Sequence, residues 1–293
     1  MNFLISCGII GAELLPARLI ILMFTRWFKK KHRTPVIARL QWDASIAAMP
    51  FLAGMPADLR ERLIDLADRF AEQKDFSGAH GFEISDGVRT AISLQACLPV
   101  LRLGLEPYSD FVEVIVYPDR FMTPRSRTDE AGVVHESIEE LSGETMHGGP
   151  VILAWPDVDP AKGGAGLSVV IHEFVHKLDL LDGEDDGVPP LPAAMRKRWI
   201  TVLDEAFERF CGMVDDAERS VPIDVDPESE AAEPYFAGLP FDSYAATDYA
   251  EFFAVSAETF FTLPGAMSEQ FPELLRLYAD YFGWPSGPTG RVE

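Results

Sequence analysis

The chain has 293 residues, enough for one large domain or two, and its 47% hydrophobic and 25% charged content is ordinary for a soluble globular protein. A formal net charge of -22 argues against a nucleic-acid-binding surface. Cys7, Cys97 and Cys211 are odd in number and far apart, which excludes a disulfide framework and points to a reducing, cytoplasmic setting.

The first 22 residues form an apolar extension, interrupted by Glu13, Pro16 and Arg18 and followed by Arg26, Lys29, Lys30, Lys31 and Arg33. A membrane anchor, a signal peptide and a start codon placed too early all compete for this stretch. Buried Glu and Arg are costly at a bilayer centre, and no positive charge precedes the apolar run. The favoured expectation is therefore Met23 as the true first residue, with a membrane association only if residues 3–24 are a real anchor. Residues 23–285 are expected to form one domain, followed by a loose tail at 286–293.

Ala44 to Leu52 and Ala57 to Gln73 read as helices; in the second, Leu59, Leu63, Leu66, Ala67 and Phe70 recur at helical spacing. A third helix is expected over Asp86 to Leu103, with Asp86 as N-cap and Gly104 just past its end. Phe111 to Tyr117 alternates as a strand. Gly132 to Leu141 and Pro150 to Trp155 are further candidate strands, separated by the turn-rich Ser142 to Gly149. A Pro/Gly loop, Asp157 to Gly166, leads to an apolar helix that should stop near Asp182-Gly183. After the acidic loop Glu184 to Pro190, Leu191 to Asp216 reads as a long helix. Ser220 to Asp242, rich in proline and acids, reads as a long loop, either solvated surface or a cleft wall. Helical periodicity returns from Thr247, and a last helix is expected over Pro272 to Phe282.

The apolar helix is Val169-Val170-Ile171-His172-Glu173-Phe174-Val175-His176-Lys177-Leu178-Asp179. It carries H-E-x-x-H. His172 and His176 fall one turn apart on one face, a separation at which two imidazoles bind one tetrahedral Zn²⁺. Glu173 lies about 100° round the helix, within reach of water at the metal but too far round to be a ligand. Two histidines and a glutamate among such apolar neighbours require a partner.

Zinc then needs a third protein ligand, and no histidine follows His176. Asp182 stands where the longer H-E-x-x-H-x-x-G-x-x-H motif has its last histidine, but Asp179 replaces the glycine that would turn the chain back. The segment Asp248-Tyr249-Ala250-Glu251-Phe252-Phe253-Ala254 offers Glu251 from a second helix. The same residues fit a capping box, yet a two-histidine site that needs a carboxylate favours Glu251 as ligand. Glu258, seven residues on, is a rival ligand or a carboxylate that orients an imidazole. Asp179, one turn beyond His176, is a second candidate for orienting an imidazole.

The motif helix, together with Tyr244-Ala245-Ala246-Thr247-Asp248-Tyr249-Ala250-Glu251-Phe252-Phe253-Ala254-Val255, resembles the Mlc titration factor A family. These are glucose-regulated zinc metallopeptidases related to the catalytic domain of anthrax lethal factor. Further matching stretches are Leu98-Pro99-Val100-Leu101, Gly143-Glu144, Gly149-Pro150-Val151-Ile152-Leu153-Ala154-Trp155 and Asp182-Gly183, and the resemblance runs from about Trp27 to Trp284.

The resemblance implies an α+β fold with a zincin-like metallopeptidase core, helix-rich with a small mixed sheet. It implies one Zn²⁺ per chain on His172, His176 and Glu251, Glu173 as general base, and Tyr244 assisting the oxyanion. It also implies aminopeptidase-type hydrolysis of small peptides and a link to a transcriptional repressor of the Mlc type. The alternative is a zinc-containing binding protein that sequesters a regulator without catalysis. Pro150 to Trp155 is expected either as an edge strand along which an extended peptide pairs or as structural core.

Overall fold

A computed structural model describes residues 37–128, 134–159, 168–227 and 229–284, with backbone alone over 122–128 and 134–141. The apolar extension, the Met23 start and the C-terminal tail lie outside these residues. Among the described residues no helix is long and apolar enough to cross a membrane.

Three helices come first. α1 (Arg39–Ala47) begins five residues before the expected start and stops short of Pro50, which opens a single 3₁₀ turn, Pro50–Leu52. α2 (Ala57–Gln73) has the expected limits and buries Leu63, Leu66, Ala67 and Phe70 on one face. α3 (Asp86–Cys97) is shorter than expected. Ser85, not Asp86, is its N-cap, accepting Val88 N–H at 3.2 Å. The helix ends because Pro99 has no N–H to continue the ladder. Gly104, at φ +83, closes a separate turn.

A four-stranded mixed sheet lies across the middle of the chain in the order β1-β2-β6-β5. β1 (Asp75–Gly78) and β2 (Glu113–Tyr117) are parallel, and β2 is parallel to β6 (Val151–Ala154). β5 (Gly143–Thr145) runs antiparallel to β6, with Gly143 opposite Leu153 and Thr145 opposite Val151. β3 (Phe121–Thr128) and β4 (Val134–Leu141) form a separate antiparallel pair. Of the two expectations for 150–155 the structure selects the core: β6 is an inner strand, and the edges of this sheet are β1 and β5, the latter in the stretch read as a turn. Val151, Leu153 and Ala154 on β6 are buried, as an inner strand requires.

α4 (Trp155–Val158) is a single turn. α5 (Val169–Asp179) carries the H-E-x-x-H residues, continues as a 3₁₀ turn to Asp182, and ends at Gly183 in the left-handed region, φ +93. α6 (Ala193–Ser220) is the long helix expected, shifted slightly towards the C-terminus. The stretch read as a long loop contains one short helix, α7 (Glu233–Phe236). α8 (Tyr249–Thr262), α9 (Pro264–Gln270) and α10 (Pro272–Phe282) complete the fold.

Two aromatic clusters fix the helices that matter. Phe174 of α5 sits edge-on to Phe70 at 5.5 Å, to Tyr108 at 5.1 Å and to Phe111 at 5.9 Å. The buried Tyr108 hydroxyl donates to Ala96 O at 3.0 Å and to Phe174 O at 3.3 Å, tying α3 to α5. On the other side, Phe253 of α8 packs against Trp199 at 5.2 Å and Tyr278 at 5.6 Å. Each buried aromatic contributes roughly 1.5–3 kcal/mol by area, so α5 and α8 are each anchored to the elements behind them. The result is a helix-rich α+β fold with a small mixed sheet.

Candidate metal centre

α5 starts at Ser168, whose hydroxyl caps the helix by accepting Ile171 N–H at 3.2 Å. With the helix register so fixed, His172 and His176 project from one face, and their Nε2 atoms lie 3.1 Å apart. α8 starts at Asp248, which accepts Glu251 N–H at 2.9 Å. The cap half of the capping box is therefore present, while the Glu251 side chain is turned elsewhere. Its Oε2 lies 3.2 Å from His172 Nε2 and 3.5 Å from His176 Nε2.

These three ligand atoms fall within 4.8 Å of one another, the one such group of three or more among the described residues. Glu251 Oε2 is buried and has no hydrogen-bond partner. Two imidazole nitrogens and one orphaned carboxylate oxygen converging on a point fit a tetrahedral Zn²⁺ with one position left open. Burial would raise the Glu251 pKa, but the adjacent His172 and His176 imidazoles outweigh it and hold the carboxyl well below the usual range. Burial would lower the His176 pKa, but the Asp185 and Glu251 carboxylates override it and push it well up. The field that holds a proton on His176 is the field that attracts a metal cation.

Glu173 is buried and is not part of this group of three. Burial pushes its carboxyl up, and the His172 and His176 imidazoles pull it partly back. β5 passes directly over it, with the Thr145 hydroxyl donating to Glu173 O at 3.2 Å. Tyr244, in the 3₁₀ turn Ser243–Ala246, donates its hydroxyl to Glu251 Oε1 at 3.2 Å, and its ring lies 6.5 Å from that of His172.

The model of the glucose-regulated metallo-peptidase M90 family matches residues 24–283. The chain belongs to that family. Among relatives of this M90 chain, Mlc titration factor A of Cronobacter sakazakii is 35% identical over 259 residues, covering 88% of this chain and 91% of the relative. The protein of the same name from an Enterobacter strain is 36% identical over 258 residues, with the same coverage of both chains. That of Escherichia fergusonii is 32% identical over 259 residues, again covering 88% and 91%.

Two residues of the M90 chain sit differently from their expected roles. Asp179 does not orient an imidazole. Its Oδ2 accepts Gly187 N–H at 2.7 Å, and its Oδ1 is buried without a hydrogen-bond partner. Burial raises this carboxyl to about 8. Glu258 is not in the ligand cluster: it lies two turns along α8 from Glu251, with the His172 imidazole acting on its carboxyl. Its carboxylate accepts Ser168 N–H at the start of α5, so it ties the two ligand-bearing helices together. Asp182 accepts Glu184 N–H and takes no part in the cluster.

Other residues join the site without having been singled out. Asp185 places Oδ1 3.4 Å from His176 Nδ1. Its loop is pinned at Gly187, whose φ is +74 and whose carbonyl accepts Trp199 Nε1–H at 2.8 Å. Lys177, buried, donates to Met146 O at 2.7 Å and Gly149 O at 2.8 Å, and lies 4.7 Å from the Phe111 ring centroid. It thereby fastens the β5–β6 turn to α5. The acidic loop was visible as a loop, and Lys177 as the residue after His176. Neither contact is written in a spacing, because each depends on a loop folding back onto the helix.

Proposed function

We propose that this chain is a zinc-dependent peptidase of the aminopeptidase type, acting on small peptides in the cytoplasm through a zincin-like core. One observation carries the reading: His172, His176 and Glu251 converge beside a buried glutamate that is not itself among the ligands. A site built only to hold a metal has no use for Glu173.

The residues divide the work as follows. His172, His176 and Glu251 would hold one Zn²⁺, which supplies Lewis-acid polarisation of the scissile carbonyl and of water. Glu173 accepts the proton of the attacking water and passes it to the leaving amine. Its burial keeps the carboxyl's pKa raised towards the working range. Tyr244, with its hydroxyl already at the ligand cluster, supplies an O–H to the oxyanion. The free edge of β5 is the place for an extended peptide to add as a strand. The cytoplasmic setting rests on the number and spacing of the cysteines.

The relatives' shared name favours a second reading, that the chain binds a repressor of the Mlc type and sequesters it. The two readings are compatible, and hydrolysis separates them. Digestion of a peptide library by the zinc-loaded protein should give cleavage that stops with chelator and returns with zinc. No cleavage by fully loaded protein would leave only the sequestering role.

A further inference from the structure

Gly143 bears directly on where the base sits. It lies on β5, outside the left-handed region, so backbone freedom does not explain the glycine. Space does. A Cβ at Gly143 would stand 2.4 Å from Glu173 Oε1, 2.6 Å from its Cγ and 2.8 Å from its Cδ. Carbon atoms pack no closer than about 3.5 Å without repulsion. The obstruction covers most of the Glu173 side chain and not merely its tip, so a small shift of the carboxylate would not clear it.

The strand has little freedom to yield. Ala154 N–H donates to Ser142 O at 2.8 Å on one flank. Thr145 donates to the backbone of Glu173 itself, and Lys177 holds Met146 O and Gly149 O beyond it. His147 Nδ1 adds a contact to Leu180 O at 2.6 Å. β5 is thus held to β6 beside its start and to α5 through Thr145 and the turn that follows, and Glu173 occupies the gap that the missing side chain leaves.

We propose that Gly143 is a positioning residue for Glu173: the absence of a side chain there lets the general base take up its place beneath the edge strand. This rests on the peptidase reading for its functional consequence, but the contact itself is testable without turnover. Thermal unfolding is measured for wild type, Gly143→Ala, Glu173→Ala and the double variant, with zinc content and peptide kinetics alongside.

Gly143→Ala should lower Tm by roughly 4 °C, the scale of an overpacked site in a chain of this size. In the Glu173→Ala background the same change should cost less than about 1 °C, because the obstructing side chain is gone. The Gly143→Ala enzyme should keep its zinc, since no ligand is touched, and lose about 10- to 100-fold in kcat with KM little changed. If Gly143→Ala fails to fold, a folded double variant supports the proposal and an unfolded one overturns it. Equal Tm losses in both backgrounds would overturn it whatever the activity. Strong coupling together with no hydrolysis by zinc-loaded wild type would leave the contact standing and remove the peptidase reading.

Discussion

Asp185 Oδ1 faces His176 Nδ1 at 3.4 Å, on the side of the ring opposite the Nε2 that faces Glu251. A carboxylate there fixes the imidazole's tautomer with the proton on Nδ1 and leaves Nε2 free to ligate. Asp185 is half exposed and belongs to a loop held by Gly187 rather than by its own burial. Asp185→Asn should therefore weaken zinc binding by about 10-fold without unfolding the protein. Competition with a fluorescent chelator measures it, and an unchanged affinity would mean that ring packing alone orients His176.

The ligand set makes a separate prediction. His172→Ala, His176→Ala and Glu251→Ala should each lose most of the roughly one zinc per chain expected of a three-ligand site. If Glu251 served only the start of α8, Glu251→Ala would instead cost about 1 kcal/mol of stability and leave zinc content unchanged. Metal analysis after dialysis distinguishes the outcomes. Zinc loss in Glu258→Ala alone would move the third ligand along α8.

Much of this site was legible beforehand because it is encoded by helical spacing. The i, i+4 histidines, the intervening Glu173 and the Asp248 cap that starts α8 all follow from local geometry. Whole helices such as Ala57–Gln73 followed from their apolar stripe. What escaped was non-local, and apart from the eight-residue β3 it was short. β5 is three residues long and centred on a Gly-Glu-Thr run with no alternation to read. β1 is four residues with a glycine. Each is a strand only because a neighbour pairs with it. Asp179 and Glu258 sit at plausible helical positions, but the directions of their side chains are set by Gly187 and Ser168, from segments whose return to the helix no periodicity encodes.

Lys177 tests how far β5 depends on its fastening. Its ammonium serves two carbonyls of the β5–β6 turn, and Lys177→Met keeps the stem's packing while deleting both bonds. Stability should fall by about 2 kcal/mol. Activity should fall with it, while zinc content stays, because the strand above Glu173 loosens and the ligands do not. Urea unfolding beside metal analysis checks this. A variant as active and as stable as wild type would show that the turn needs no anchor.

Glu258 gives a pH signature. Burial raises its carboxyl from 4.5 to about 7, only partly offset by the charge of His172 and the Ser168 N–H. The unfolded chain releases this proton near 4.5 and the folded chain near 7. The group's contribution to stability is therefore full below about pH 4.5, declines through that window, and is lost above it. The fall is on the order of 3 kcal/mol. Glu258→Gln keeps an acceptor for Ser168 N–H and cannot titrate. In zinc-free protein its stability relative to wild type should rise between pH 5 and pH 8. Zinc beside His172 should draw the Glu258 pKa down and flatten the slope. Parallel stability–pH curves for the two proteins would contradict the assignment.

The most direct test concerns Glu173, which carries the distinction between an enzyme and a metal-holding scaffold. Glu173→Gln preserves the side chain's shape and leaves His172, His176 and Glu251 untouched. Turnover of a peptide substrate is measured for wild type and Glu173→Gln at equal zinc occupancy. The expected result is zinc retained at the wild-type level and kcat reduced by at least the 10²-fold typical of losing a general base. Undiminished turnover by zinc-loaded Glu173→Gln would contradict the account.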